Sequence, residues 1–283
     1  MTTLKRILVP TDFSDNARTA YEYAIDLAEQ FHAKIDVVHI YEPIDDGLPL
    51  VYPDKVSSLK LKEQLNDFVS RSIESDDDDG SIGLRKVKVN AELLLGSVTT
   101  TLIDLSKNTY DLIVMGSLGG GTFAEIVFGS VTTKVAQEAH CPVLVIPHKG
   151  RYHEVKHLAY ACDFKHKSFK HPALVADVAH IFKAKIDMLY VQHLGENQEP
   201  DKIYIDDMLA VFKTEAPQLS VTAHIVDDDD VFEGINQFTR EYQTDMVVLI
   251  TKHHSLMQKL LHPSVTKEMA MYTNLPLLVL KEM

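Results

Sequence analysis

The chain repeats itself, and that repeat constrains its fold more than any other feature. Residues 4–41 align without a gap on residues 155–192. Asp12-Phe13 falls on Asp163-Phe164, Asp26 on Asp177, Phe31 on Phe182, and Ala33-Lys34-Ile35-Asp36 on Ala184-Lys185-Ile186-Asp187. Towards the other end Asp111 matches Asp245, and Cys141-Pro142-Val143-Leu144-Val145 matches Leu275-Pro276-Leu277-Leu278-Val279. One half cannot fold in a way the other half forbids. The 283 residues therefore read as two copies of one domain, 1–148 and 152–283, joined near His148-Lys149-Gly150-Arg151-Tyr152.

Each copy alternates short apolar runs with helical periodicities. In the first, Arg6–Pro10 is a buried strand closed by proline, and Ser14 is an N-cap for the helix after it. In that helix Ala17, Ala20, Tyr21, Ala24, Leu27, Ala28 and Phe31 recur at helical spacing. Lys34–Tyr41 is a second strand, ended by Glu42-Pro43. A polar helix is expected over 58–73, a third strand over 87–95 and a helix over 99–108. A fourth strand over 111–115, a helix over 130–139 and a last strand over 142–147 complete the copy. Continuous apolar strands between helices indicate α/β architecture, a doubly wound parallel sheet covered on both faces, here in tandem. Such sheets bind ligands beyond the C-terminal strand ends, where the strand order reverses. Asp12 follows strand one and Gly116 closes strand four, so the two share one crevice if those strands are neighbours.

Charge and cysteine content narrow the function. A formal net charge of −13 argues against nucleic acid as a partner, since that binding lives on clustered Lys and Arg. Two aspartate runs, 76–79 and 227–230, contribute much of it, and the first reads as a solvated loop. No apolar run approaches the roughly 20 residues of a membrane helix, and the N-terminus leads straight into a strand. The expectation is a soluble, cytoplasmic protein without membrane partners. Cys141 and Cys162 form no CxxC pair and read as buried thiols.

The richest local chemistry lies between Val114 and Val131. An apolar strand runs into Gly116-Ser117-Leu118-Gly119-Gly120-Gly121, and Gly129-Ser130 opens a helix. Glycine admits positive φ and close backbone approach, serine at a helix start offers a capping hydroxyl, and free N–H groups there attract anions. The spacing is Gly-x2-Gly-x9-Gly-Ser. With Ile7-Leu8-Val9-Pro10-Thr11-Asp12-Phe13-Ser14 at the first strand and Cys141-Pro142-Val143-Leu144-Val145-Ile146-Pro147 at the last, it closely resembles the universal stress protein family. The resemblance covers essentially the whole chain as a tandem pair, with the glycine motif intact in the first copy only.

That resemblance implies a Rossmann-like fold, ATP or another adenine nucleotide as ligand with Mg²⁺ as a companion ion, and a regulatory role in stress response. It places Pro10, Thr11, Asp12 and Ile40 around adenine and ribose. Met115, Gly116, Gly119 and Gly120 after strand four, with Gly129, Ser130 and Val131 at the helix start, fall around ribose and phosphates. Members pair through their last strands, which implies an intrachain pseudo-dimer through 143–146 and 277–280; a homodimer of the whole chain is compatible with it. Phe123, Ile126 and Phe128 read as packing residues.

No catalytic residue is assigned. A Walker loop needs lysine directly after its last glycine, and here Ser130 follows Gly129, while Lys134 reads as a solvated charge. There is no Gly-x-Ser-x-Gly elbow. The sequence favours holding a nucleotide over cleaving it. A slow Mg-dependent hydrolase or nucleotidyl-transferring enzyme and a non-nucleotide interaction protein are the alternatives.

The second copy has lost the cradle. Thr251 stands near the place of Gly116, His254 near Gly119, and Pro263 at Gly129, where proline removes an N–H. Ten of the 12 glycines lie in residues 1–150. Residues 227–230 follow the third strand of this copy, where carboxylates favour a helix start and repel a triphosphate within a Debye length of about 8 Å. Copy two is not expected to bind ATP. Ten of the 14 histidines fall here, including His166, His253, His254 and His262. Their spacing matches no metal motif, and no metal site is assigned.

Overall fold

The computed structural model describes residues 3–42, 55–76, 82–84, 86–107, 109–117, 129–162, 171–192, 199–251 and 275–281. The described residues from 4 onwards separate into two compact units, one within residues 4–117 and 129–152 and one within residues 153–281.

In the first unit the main sheet comprises β1 (Arg6–Pro10), β2 (Lys34–Tyr41), β5 (Lys88–Leu95), β6 (Leu112–Gly116) and β7 (Val143–Ile146). Its helices are α1 (Asp15–Phe31), α2 (Lys55–Ile73), α3 (Val98–Leu105) and α4 (Ser130–Glu138). The strand order is β7-β6-β1-β2-β5, and every pair is parallel. Strand order reverses between β1 and β6, the arrangement that brings Asp12 and Gly116 to one edge. α1 packs with α2 and α3 with α4, the pairing expected of two covering layers. The middle of β1 and most of β6 are continuously apolar because the sheet is covered on both faces, and β2 is apolar but for Lys34, Asp36 and His39: Ile7, Leu8, Val9, Ile35, Ile113 and Val114 are fully buried.

α1 is the most deeply buried helix of this unit. The predicted stripe is buried except for half-exposed Phe31, and Tyr23 and Ile25 are buried with it. Tyr23 meets Tyr152 edge-on at 5.0 Å, and the Tyr152 hydroxyl reaches Gln30, so the end of the unit folds back over the helix. Ser14 is the N-cap as predicted, its Oγ accepting from the Ala17 N–H at 3.2 Å.

One element escaped the sequence reading. β3 (Glu74–Asp76) and β4 (Ile82–Leu84) form an antiparallel ribbon on either side of the first aspartate run. Asp76 is thus a strand residue and not part of a loop, and residues 77–80 lie outside the described residues.

The second unit contains β8 (His157–Ala161), α5 (His171–Phe182), β9 (Lys185–Gln192), α6 (Glu199–Glu215), β10 (Val221–Asp227), α7 (Val231–Glu241), β11 (Met246–Thr251) and β12 (Leu277–Lys281). Its strand order, β10-β9-β8-β11-β12, is the same parallel arrangement. The repeat extends to single hydrogen bonds. The Asp111 carboxylate accepts from the N–H groups of Lys5 and Arg6, both at 2.9 Å, and Asp245 accepts from Lys156 and His157 at 2.8 and 2.9 Å. Each carboxylate satisfies the first donors of a central strand, which no neighbouring strand reaches.

Both cysteines are buried, as expected. Among the described residues no helix is long and apolar enough to cross a membrane, and no group of three or more His, Cys, Asp or Glu is placed to hold a metal ion. The predicted histidines His166, His253, His254 and His262 lie outside the described residues.

Candidate functional site

At the C-terminal edge of the first sheet a turn, a strand end and a helix start enclose a cavity of about 280 Å³. The turn begins where β1 stops at Pro10. The Thr11 N–H still donates to the Val38 carbonyl at 2.9 Å, and then the chain leaves the sheet. Phe13 takes φ 67°, its N–H donating to Thr11 Oγ1 at 2.9 Å. Asp12 Oδ1 accepts from the Ser14 N–H at 3.0 Å and from Ser14 Oγ at 2.5 Å. Asp12 therefore shapes its own turn while standing in the cavity wall.

On the other side of β1 the wall is the end of β6. A Cβ on Gly116 would lie 2.8 Å from the Asn16 carbonyl oxygen, so glycine there lets the start of α1 close against the strand. Thr132 Oγ1 donates to the Gly116 carbonyl at 3.0 Å and ties the first turn of α4 to the strand end. α4 has Gly129 as its N-cap, with φ −60° and ψ 150° and no side-chain capping bond. The sequence assigned a capping role to the Ser130 hydroxyl; Ser130 is instead the first helical residue, so that hydroxyl is not consumed in capping. The first N–H groups of a helix have no intrahelical partner, and here they start beside the cavity that Gly129, Ser130, Val131 and Thr132 line. They carry the positive end of the helix dipole.

A third wall comes from β2 and α3: Val38, His39, Ile40, Val98 and Leu102. Successive residues of a strand point their main-chain groups to alternate neighbours. The Val38 carbonyl faces β1, accepting from Thr11 at 2.9 Å, and the Tyr41 carbonyl faces β5, accepting from Gly96 at 3.1 Å. By this alternation the N–H and C=O of Ile40 face the β1 side, beyond the point where β1 ends. They present a donor and an acceptor side by side at the cavity.

Of the residues named from sequence, Pro10, Thr11, Asp12, Ile40, Met115, Gly116, Gly129, Ser130 and Val131 line this cavity together. Gly119, Gly120 and the packing candidates Phe123, Ile126 and Phe128 lie outside the described residues. The sequence missed Ala17, Val38, His39, Val98, Leu102 and Thr132. Most are small or apolar residues, and a core residue and a wall residue share one composition. Thr132 carried a readable signal, a hydroxyl within the first turn of the helix that Gly129-Ser130 opens. Among the described residues that line it none is Lys or Arg, and Asp12 is the one carboxylate. Lys134 is exposed, as read from sequence.

The second unit keeps the frame and changes the chemistry. The Cys162 N–H donates to the Leu189 carbonyl at 2.9 Å, as Thr11 does to Val38, and Asp228 N–H donates to Gln192 as Gly96 does to Tyr41. Gly116 pairs with Ile146 in the first unit; in the second, Ile250 pairs with Leu280. By register the branched Ile250, one residue before Thr251, takes the place of Gly116. The aspartate run serves the helix start: Asp228 Oδ1 accepts from Asp230 N–H at 2.8 Å, and Asp230 Oδ1 accepts from Glu233 N–H at 3.4 Å. Residues 252–274, with His254 and Pro263, lie outside the described residues.

Comparison with known proteins agrees with the repeat. The sequence profile of the universal stress protein family matches residues 3–147 and again residues 156–281. A universal stress protein of Methanocaldococcus jannaschii is 32% identical over 144 residues, 50% of this chain and 81% of that protein. One of Mycobacterium tuberculosis is 24% identical over 299 residues, covering 98% of this chain and 96% of the relative. Among solved structures, a universal stress protein from Archaeoglobus fulgidus superimposes with a TM-score of 0.69 at 18% identity, covering 99% of this chain and 97% of the other. With two profile matches on two copies of one parallel α/β unit, the chain belongs to the universal stress protein family in its tandem two-domain form.

Proposed function

We propose that the first unit binds one adenine nucleotide, ATP or ADP, and that the protein acts as a nucleotide-dependent regulatory module in stress response. The observation that carries this is the pairing of two complementary ends in one cavity. On the β2 side, Ile40 offers an N–H and a C=O side by side in a cavity that the apolar Val98 and Leu102 also line. Adenine presents a ring acceptor beside an exocyclic amino donor, which complements that pair; guanine presents the reverse. On the β6 side, the start of α4 offers N–H groups and the Ser130 hydroxyl to phosphate oxygens. The volume of about 280 Å³ lies just below the usual range of ligand pockets, roughly 300–1,000 Å³, and suits a nucleoside with its phosphates directed out towards α4.

Asp12 is the lining carboxylate that would reach a ribose hydroxyl or a Mg²⁺ ion carried in with the phosphates. The bound ion would neutralise phosphate charge. Fixed cations and a base aimed at a water molecule are what phosphoryl transfer requires, and the described lining residues supply no cation. Holding the nucleotide is the role these residues fit.

Isothermal titration of the full chain with ATP, ADP and GTP tests the reading. Binding of ATP or ADP with clear preference over GTP supports it. Absence of heat with all three, together with no nucleotide co-purifying by mass spectrometry, would overturn it. Pairing of the two copies through the apolar last strands, 143–146 and 277–280, belongs to the same proposal on the ground that exposed strand edges need covering. Disulfide cross-linking of cysteines introduced on those strands tests that part.

A further inference from the structure

The turn that ends β1 is held by an aromatic clamp. A φ of 67° is a rare conformation for a bulky residue such as Phe13 and persists only where the surroundings fix it. Here the Phe13 ring stacks on the His39 ring at 4.3 Å and 28°, and meets Phe68 edge-on at 6.0 Å. His39 Nδ1 lies 2.8 Å from the Thr11 carbonyl oxygen. A carbonyl only accepts, so Nδ1 carries the proton and donates. Together with the Phe13 N–H on Thr11 Oγ1, these contacts fix residues 11–13 from both sides.

What the clamp holds open is the Ile40 edge. If the chain continued straight beyond Pro10 it would pair with Ile40 and cover its N–H and C=O. Because it turns away at Thr11, the pair faces the cavity instead. We propose that His39 and Phe13 are positioning residues for base selection: by pinning the Thr11–Phe13 turn they keep the Ile40 main-chain pair open to the Watson–Crick edge of adenine. This rests on the adenine-nucleotide reading above. His39 acts through Thr11 and Phe13, and it is placed in the wall for that reason and not as a ligand to phosphate.

The test is the ratio of ATP to GTP affinity, measured by titration of the full chain beside its melting temperature. His39→Phe keeps a ring against Phe13 and loses the donor to Thr11. Phe13→Gly loses the ring but tolerates the positive φ, so it folds without backbone strain. His39→Asn retains a donor near the Nδ1 position. Both His39→Phe and Phe13→Gly are expected to lower the ATP-to-GTP preference about tenfold, the factor set by one main-chain hydrogen bond. His39→Asn is expected to keep most of the preference. A purely structural role would lower the melting temperature and weaken both nucleotides equally; an unchanged ratio in His39→Phe and Phe13→Gly would overturn the inference while leaving nucleotide binding intact. Wild-type protein that binds neither nucleotide would overturn both.

Discussion

Gly116 and Asn16 approach so closely that a Cβ on the glycine would stand 2.8 Å from the Asn16 carbonyl oxygen and 2.9 Å from its carbon. Backbone cannot swing aside as a flexible side chain would. Gly116→Ala should therefore cost about 1–3 kcal/mol, the range for forcing extra volume into a packed site. Urea denaturation of the variant measures it, and the cavity should lose ligand affinity with it, because the Gly116 carbonyl also anchors Thr132 and the start of α4.

Gly129 makes the opposite case. Its φ of −60° and ψ of 150° are ordinary for any residue, and it is an N-cap without a side-chain bond. Aspartate is a good N-cap, and stability should change by only a few tenths of a kcal/mol. Its carboxylate would stand beside the phosphate end of the cavity. Gly129→Asp should thus keep its melting temperature and lose nucleotide binding by at least tenfold, read by thermal shift and titration together.

The carboxylate of Asp36 is 9% exposed and lies 2.7 Å from Arg6 Nε, with the Arg6 guanidinium 4.9 Å from the Tyr110 ring. That hydrogen bond raises the Arg6 pKa above its ordinary value. Arg6→Met leaves a buried carboxylate without its cation. Because Arg6 is itself 45% exposed, water screens part of the loss, and about 1–2 kcal/mol is expected. The double variant Arg6→Met, Asp36→Leu should recover at least half of it in a denaturation cycle.

Burial pushes the Cys141 thiol up from 9.0 to about 12, with the charge of Asp111 acting in the same direction. Tyr110 rises from 10.0 to about 12, again by burial first. The folded state disfavours both anions. Their contribution to stability is therefore complete below the unfolded values and is lost as pH rises through about 12. Stability should decline above about pH 9, less steeply in Cys141→Val. Native Cys141 should also resist alkylation by iodoacetamide until the chain unfolds.

How far the sequence reaches is clear from particular residues. β1 and β2 match the expected bounds because prolines at positions 10 and 43 mark their ends, and apolar runs this short and continuous have few other fates in an alternating pattern. In the sequence the β1–β6 neighbourhood is only a condition, and the parallel pairing of Ile7 with Leu112 and Leu8 with Ile113 supplies it. The ribbon of Glu74–Asp76 with Ile82–Leu84 was not legible, since aspartate and glycine in between carry turn composition and each strand is only three residues long. In the site, the glycines and Asp12 were readable as chemistry. Val38, Val98 and Leu102 were not, because an apolar wall residue differs from a core residue only in what lies opposite it. The left-handed Phe13 gave no signal either: nothing in Asp12-Phe13-Ser14 announces a positive φ. Ile250 in the place of Gly116 was legible, since the offset of 134 that relates Asp111 to Asp245 and Cys141 to Leu275 also relates Gly116 to Ile250, one residue before the Thr251 taken from the loop; the strand register agrees with it.

The central claim is one adenine nucleotide per chain, held in the first unit. Native mass spectrometry of the full chain with excess Mg-ATP tests it directly, with Gly129→Asp as the companion sample. A single bound ATP is expected in the wild type, and at least tenfold lower occupancy in the variant when the two are compared at the same sub-saturating ATP concentration. Two nucleotides per chain, or an occupancy in Gly129→Asp equal to that of the wild type, would contradict it.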